Sequence, residues 1–212
     1  PNDQLRWEKT ASWNIGVDYS IFNSRLNGSI DWYYKRSSDL LTLTDIDPTR
    51  GWVSLNINNG KAVNKGLELQ LDAILMQPKS NCLGISVLAG FAYNENKVVA
   101  IDHIDDAGYS NLTTLHKGHP VNSLYSVAYG GLTTDENGDQ QVQWKKADGT
   151  LRTTSIYDNE FEPADVIFSG ALDPKYTFSL TPQITYKGFS LSAMLSYYGG
   201  HFMRANAEEW SH

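Results

Sequence analysis

Apolar and polar residues alternate almost without error from Ser12 to Lys35. In the first run Trp13, Ile15, Val17, Tyr19 and Ile21 take the odd positions, and Ser12, Asn14, Gly16, Asp18 and Ser20 the even ones. After Asn23-Ser24, which reads as a tight turn, Leu26, Gly28, Ile30, Trp32 and Tyr34 share one face. Asn27, Ser29, Asp31, Tyr33 and Lys35 share the other. Successive side chains of a strand point to opposite faces, so the pattern predicts two antiparallel strands, each with an apolar and a hydrophilic side. Each run is about ten residues long, the length a tilted strand needs to cross a bilayer; strands of soluble sheets average about five or six.

Four further runs repeat the pattern: Gly66 to Ala73, Leu83 to Asn94, Tyr176 to Tyr186 and Phe189 to Tyr198. That makes roughly six long strands, with Pro182 as the weak point because it cannot donate to a ladder. The connections alternate in length. Asn23-Ser24, Leu75–Asn81 and Lys187-Gly188 are short, whereas Arg36–Lys65 and Glu95–Lys175 are long. Short periplasmic turns and longer extracellular loops are the habit of bacterial outer-membrane barrels. Aromatic residues agree with this polarity. Trp13, Trp32, Tyr34, Phe91, Tyr93, Phe178 and Tyr197 fall next to the long loops, and Phe22, Tyr186 and Phe189 beside the short turns. Two such belts are what amphipathic rings prefer at the two membrane interfaces. Within 95–175, Val121–Leu132 reads as an extra strand, and Asn137-Gly138 and Asp148-Gly149 read as hairpin tips. This long loop is therefore expected to fold into β structure of its own.

Composition narrows the class. The 212 residues are 41% hydrophobic and 12% aromatic, too apolar for a disordered chain. A net charge of −7 leaves no basic face for nucleic acid, so no nucleic-acid partner is expected. The mean hydropathy of −0.40 rules out helical membrane spans but not a barrel, half of whose strand residues are polar. Cys82 is alone, which excludes a disulfide framework within the chain, and it reads as a small buried residue near a strand end. The first residues carry no initiator Met, secretory signal or lipid-attachment motif, so the chain is expected to be processed or a piece of a longer one.

Leu5-Arg6-Trp7-Glu8-Lys9-Thr10 with Trp13-Asn14-Ile15-Gly16 opens a series of segments that resemble the SusC/RagA family of TonB-dependent outer-membrane transporters of Bacteroidetes, here its run into a barrel strand. Gly28-Ser29-Ile30-Asp31-Trp32-Tyr33-Tyr34-Lys35, then Asp39-Leu40-Leu41, matches the next strand and its loop. Asn59-Gly60, Val63-Asn64-Lys65-Gly66 and Glu68-Leu69 carry the most specific part of the resemblance. Tyr93-Asn94-Glu95-Asn96-Lys97-Val98, Gly118-His119-Pro120, Gly131-Leu132, Asp148-Gly149, Gly170 and Pro174 follow in order. The resemblance implies an all-β, antiparallel transmembrane barrel segment, about six long strands of a barrel closing at about 22, with long extracellular β-rich loops. It implies that 1–212 is a piece of such a barrel, 95–175 its large extracellular loop, and the plug domain outside the chain. It further implies a cell outer-membrane location and nutrient uptake of oligosaccharides or peptides. The implied partners are a SusD-like surface lipoprotein, TonB acting through the plug, and outer-membrane lipid. The competing reading is a soluble β-sandwich module for carbohydrate binding or adhesion, whose apolar faces would be buried against one another.

Candidate chemistry is sparse. His103, His116, His119, His201 and His212 sit in loops or at the chain end, and no nucleophile elbow, H-E-x-x-H or phosphate loop occurs; no enzyme activity and no cofactor are expected. Asp135-x-Asn137-x-Asp139 places oxygen ligands at alternate positions, as calcium loops begin, but lacks the Gly and Glu positions of an EF-type loop. A hairpin tip explains these residues equally well. Asp102, His103, Asp105 and Asp106 read as a solvated loop. Asp18, Asp31, Glu68, Gln70 and Asp72, with Lys35 and Gln183, are expected to face the lumen. Trp52, Tyr109, Tyr125 and Trp144 are loop aromatics able either to stack on a solute or to pack within the loop.

Overall fold

A computed structural model describes residues 4–45, 54–77, 82–101, 116–153 and 162–204. Its main sheet contains β1 (Lys9–Ile21), β2 (Leu26–Ser38), β5 (Lys61–Met76), β6 (Gly84–Ala100), β11 (Tyr176–Tyr186), β12 (Phe189–Ser192) and β13 (Leu195–Gly199). The spatial order is β1-β2-β5-β6-β11-β12, with β13 also on β11, and every pairing is antiparallel. β12 and β13 meet β11 in one register, Gln183 opposite Ser192 and Leu180 opposite Leu195, so they are one strand with a gap. The gap lies at Pro182. The Ala193 N–H donates to the Pro182 carbonyl at 3.3 Å, and proline has no N–H to return. Six long spatial strands therefore match the six apolar-alternating runs.

The register also sets the faces. Val17, Ile30, Leu69, Phe91, Phe178 and Tyr197 form one row across the sheet, and Tyr19, Gly28, Leu71, Ala89, Leu180 and Leu195 another. No second layer covers these rows among the described residues. Trp13 is 70% exposed, Ile15 63% and Val17 60%. Alternation in the soluble sandwich would bury this face against another sheet, and it does not. From Trp13 to Phe22 the band spans roughly 30 Å along the strand, or about 23 Å in height at a tilt of about 40°. Aromatic rows bound it: Trp32 and Tyr34 lie 6.5 Å apart and Tyr93 and Tyr176 5.4 Å apart at one end, with Tyr186 opposite Phe189 at the other.

Both described short turns use left-handed backbone. Phe22, Asn23 and Ser24 have φ of 54°, 56° and 60° in the four-residue turn between Ile21 and Leu26, and Lys187 and Gly188 have φ of 46° and 85° between Tyr186 and Phe189. Positive φ at both central positions, as at Lys187 and Gly188, is what a two-residue hairpin turn with strand-matching twist requires. At the other end the strands run further than alternation predicts. β5 begins at Lys61 rather than Gly66, and β6 continues to Ala100, into the expected 95–175 loop. Val63, Asn64 and Lys65 face Lys97, Asn96 and Glu95 in a continuing ladder. Above the band the hydrophobic period disappears while the backbone pairing persists. A small hairpin, β3 (Leu41–Asp45) with β4 (Ser54–Asn58), occupies the first long connection.

The second long connection forms its own sheet, β10-β7-β8-β9, from β7 (Ser123–Thr134), β8 (Gln140–Lys145), β9 (Leu151–Arg152) and β10 (Val166–Ala171). It is tied to the wall by backbone bonds. Val98 N–H donates to the His119 carbonyl and Gly118 N–H to the Val98 carbonyl, both at 2.8 Å. Val98 is fully buried at this junction. Cys82, expected to be buried, is exposed just before β6.

Candidate functional site

The polar face of the main sheet is assembled by the same register. Gly16, Asp31, Glu68, Ala92 and Thr177 make one row; Asp18, Ser29, Gln70, Gly90 and Ser179 the next; Ser20, Asn27, Asp72, Leu88 and Thr181 the third. Asp18, Asp31, Glu68, Gln70 and Asp72 thus share one face, with Asp31 directly opposite Glu68. Opposed like charges cost roughly 0.2–1 kcal/mol, which a hydrated wall tolerates and a packed core does not. Glycine makes room for these groups. A Cβ on Gly16 would collide with the Asp31 carboxylate, and one on Gly66 with the Tyr33 hydroxyl and the Tyr93 carbonyl. Lys35 reaches over Tyr33, its Nζ 5.2 Å from the ring centre. Gln183 Nε2 donates to Ser190 Oγ at 3.1 Å, continuing the face to the last strand. Such a surface offers hydrogen bonds and negative charge to the medium it meets.

The residues Asp135, Asn137 and Asp139 meet at the β7–β8 turn, but as a cap. Asp135 Oδ1 accepts the N–H groups of Asn137 and Asp139, each at 2.9 Å, and its Oδ2 accepts from Gln141 Nε2 at 3.3 Å. Its carboxylate is spent on the turn, and among the described residues no group of three His, Cys, Asp or Glu side chains is placed to hold a metal. The alternation of oxygen side chains lies at a hairpin tip with Gly138 at φ 91°. The N–H of Asp139 is the main group holding the Asp135 carboxyl below the usual carboxylate range, helped by Asn137 and Gln141. A depressed folded-state pKa means the cap's stabilisation is complete above the ordinary value of about 3.9 and is lost as pH falls through the folded value. Amide exchange at Asn137 and Asp139 should therefore accelerate from about pH 4 downward, beyond the intrinsic chemical trend. Asp135→Ala should abolish that pH dependence; its persistence would show that another group holds the turn.

Of the loop aromatics, Trp52 and Tyr109 lie outside the described residues. Tyr125 and Trp144 are 3% and 5% exposed, so both pack within the loop sheet and present no ring face to a solute. Tyr125 lies among His116, His119 and Phe168, at ring separations of 4.0, 6.0 and 6.0 Å, and His119 stacks on Phe168 at 4.4 Å. Burial, and then His119, hold the His116 pKa below its ordinary value, which keeps the ring neutral at pH 7. The acidic stretch at 102–106 also lies outside the described residues. Sequence reasoning missed Asp165, a buried carboxylate after the 3-10 turn Pro163–Asp165. It accepts the N–H of Ala147 and of Glu162, both at 2.8 Å, joining the β8–β9 turn to the strand β10. Nothing in the local sequence distinguishes it from a surface acid, because its partner at 147 is remote along the chain.

Comparison with known proteins agrees with this geometry. A family model described as TonB dependent receptor-like, beta-barrel, matches residues 1–209. The TonB-dependent receptor SusC of Bacteroides thetaiotaomicron is 27% identical over 211 residues, covering 92% of this chain and 20% of that protein. TonB-dependent receptor P39 of Formosa agariphila is 32% identical over 134 residues, 62% of this chain and 12% of the relative. Among solved structures, the RagAB peptide transporter superimposes with a TM-score of 0.70 at 25% identity, covering 92% of this chain and 21% of that one. The chain spans about a fifth of the length of SusC.

Proposed function

Because the chain belongs to the TonB-dependent receptor-like β-barrel family, we propose that it is wall and extracellular loop of a SusC/RagA-type transporter in the outer membrane. The observation that carries this reading is the two-faced sheet: an uncovered apolar band bounded by aromatic rows, backed by a hydrated face of Asp18, Asp31, Glu68, Gln70 and Asp72. Lipid suits the first face and a water-filled lumen the second. The cargo class is oligosaccharides or peptides, by analogy with relatives named SusC and the RagAB peptide transporter. Residues 1–212 supply barrel wall, and the β7–β10 sheet stands on the extracellular side, where a SusD-like lipoprotein would seat. TonB would drive uptake through a plug supplied by the whole protein. The segment's part is passive, lining a path without making or breaking a bond.

The test uses the full-length gene in its native bacterium. Deleting it should abolish growth on one class of oligosaccharide or peptide, and the tagged protein should copurify from outer membranes with a surface lipoprotein. Recovery of the protein in the detergent-free soluble fraction, or unchanged growth on every glycan and peptide supplied, would sink the proposal.

A further inference from the structure

The β2–β5 ladder does not stop at Ser38 opposite Lys61. Leu41 opposite Asn58, in β3–β4, lies in the same register three residues further from the apolar band. Asn59 N–H donates to the Leu40 carbonyl at 2.7 Å, and Leu40 N–H to the Gly60 carbonyl at 3.2 Å, which carries the pairing across. β2 with β3 and β4 with β5 are thus the two arms of one long hairpin. At the join both arms leave extended geometry together: Asp39 has φ 58° and Gly60 φ 125°. A left-handed aspartate facing a left-handed glycine marks a bend confined to one step of the ladder. Strained backbone of this kind persists only where its surroundings hold it.

What holds it comes from far along the chain. The Asn58 carboxamide makes three bonds: Oδ1 accepts the Arg6 N–H at 2.7 Å, and Nδ2 donates to the Arg6 carbonyl at 2.7 Å and the Asp39 carbonyl at 2.8 Å. It thereby serves residue 6 as the peptide group of a neighbouring strand would. Glu8 Oε1 accepts the Leu41 N–H at 2.8 Å, and the Arg6 guanidinium lies 3.3 Å from the Asp39 carboxylate. The contact is polar and peripheral, the Arg6 side chain being 68% exposed. Bonds that water can replace open and close more readily than a packed core.

We propose that Asp39 and Gly60 form a hinge and that Arg6, Glu8 and Asn58 are its latch. Closed, the latch makes the β3–β4 hairpin and segment 4–8 one body; when it opens, the hairpin is freed from 4–8 and moves relative to the wall about Asp39 and Gly60. The arrangement gives Arg6 and Glu8 a reason to stand together immediately before β1: Arg6 bonds both arms of the bent hairpin, at Asn58 and Asp39, and Glu8 bonds the β3 arm at Leu41. It depends on no assumption about what the transporter carries.

Hydrogen exchange on the full-length protein in detergent micelles, read by peptide mass, tests this. In Asn58→Ala, peptides covering 4–8 and those covering 39–45 and 54–60 should exchange about tenfold faster, and together. Asn58→Asp keeps the acceptor for Arg6 N–H and loses both donors, so it should fall between the two. Peptides from the wall below, such as Ile15 to Ile30 and Leu67 to Phe91, should exchange as in the unaltered protein. Faster exchange in 39–60 with 4–8 unchanged, or no change in either, would overturn the coupling. Faster exchange throughout the wall would overturn it as well, making Asn58 a general stabiliser of the barrel rather than a latch.

Discussion

Leu71→Arg in the full-length protein should lower its unfolding free energy in a bilayer or micelle by roughly 2–4 kcal/mol, the cost of a cation near the midplane of a barrel's lipid face. Leu71 lies in the row Tyr19, Gly28, Leu71, Ala89 and Leu180, between the two aromatic limits of the band. Its neighbour Gln70 points to the other face, beside Ser29 and Gly90. Gln70→Arg should therefore change stability by no more than about 0.5 kcal/mol, as for most hydrated surface positions. Two adjacent residues, one substitution and opposite outcomes make the comparison sensitive to faces rather than to local strand propensity. Guanidinium unfolding of the refolded protein, followed by tryptophan fluorescence, measures both. Equal effects at 70 and 71 would mean that both faces meet the same medium, and the barrel wall would be the wrong architecture.

Asp165→Ala should cost about 3 kcal/mol of local stability in the loop sheet, since it removes two hydrogen bonds to a charged acceptor and strands two N–H groups. The Asp165 residue is 3% exposed and accepts the N–H groups of Ala147 and Glu162, so water does not simply replace it. Lys146 stands nearby, 4.0 Å from Asp165 and 3.4 Å from Glu162, and would lose its inner partner. Asp165→Asn retains one acceptor oxygen and should cost less. The readout is limited proteolysis: cleavage should rise in 140–166 while the main sheet stays protected. An unchanged cleavage pattern would show that the aromatic packing around Tyr125, His119 and Phe168 carries the loop sheet by itself.

The wall was legible in the sequence because its cause is local and periodic. One apolar residue in every two marks a face, and the same rule applied to Ser12–Lys35 and to Gly66–Ala73 also places Asp18, Asp31, Glu68, Gln70 and Asp72 on the opposite side. The short turns at Asn23-Ser24 and Lys187-Gly188 were legible for a similar reason, as were the tips at Gly138 and Gly149. Legibility faded above the band. β5 and β6 continue for several residues in which polar and apolar side chains mix on each face, so pairing survives without a hydrophobic period. The β3–β4 hairpin carries alternation at Leu41 and Leu43 and at Leu55 and Ile57, but over only five residues in each strand. Oxygen-rich spacing at Asp135, Asn137 and Asp139 left two readings open, because a turn cap and a calcium loop begin with the same residues; the structure adds the donors that gather around Asp135.

The sequence by itself determined the strands of the wall, their two faces and the aromatic limits of the apolar band, because alternation, turn residues and ring placement act over a few neighbouring positions. Tertiary structure alone decided which groups far apart in the chain meet. It buried Tyr125 and Trp144 within the loop, drew Asp165 onto Ala147, and brought Asn58 to Arg6 across 52 positions. These outcomes depend on which backbone comes alongside which, and hydrogen-bond geometry is satisfied only once the sheet has set those distances.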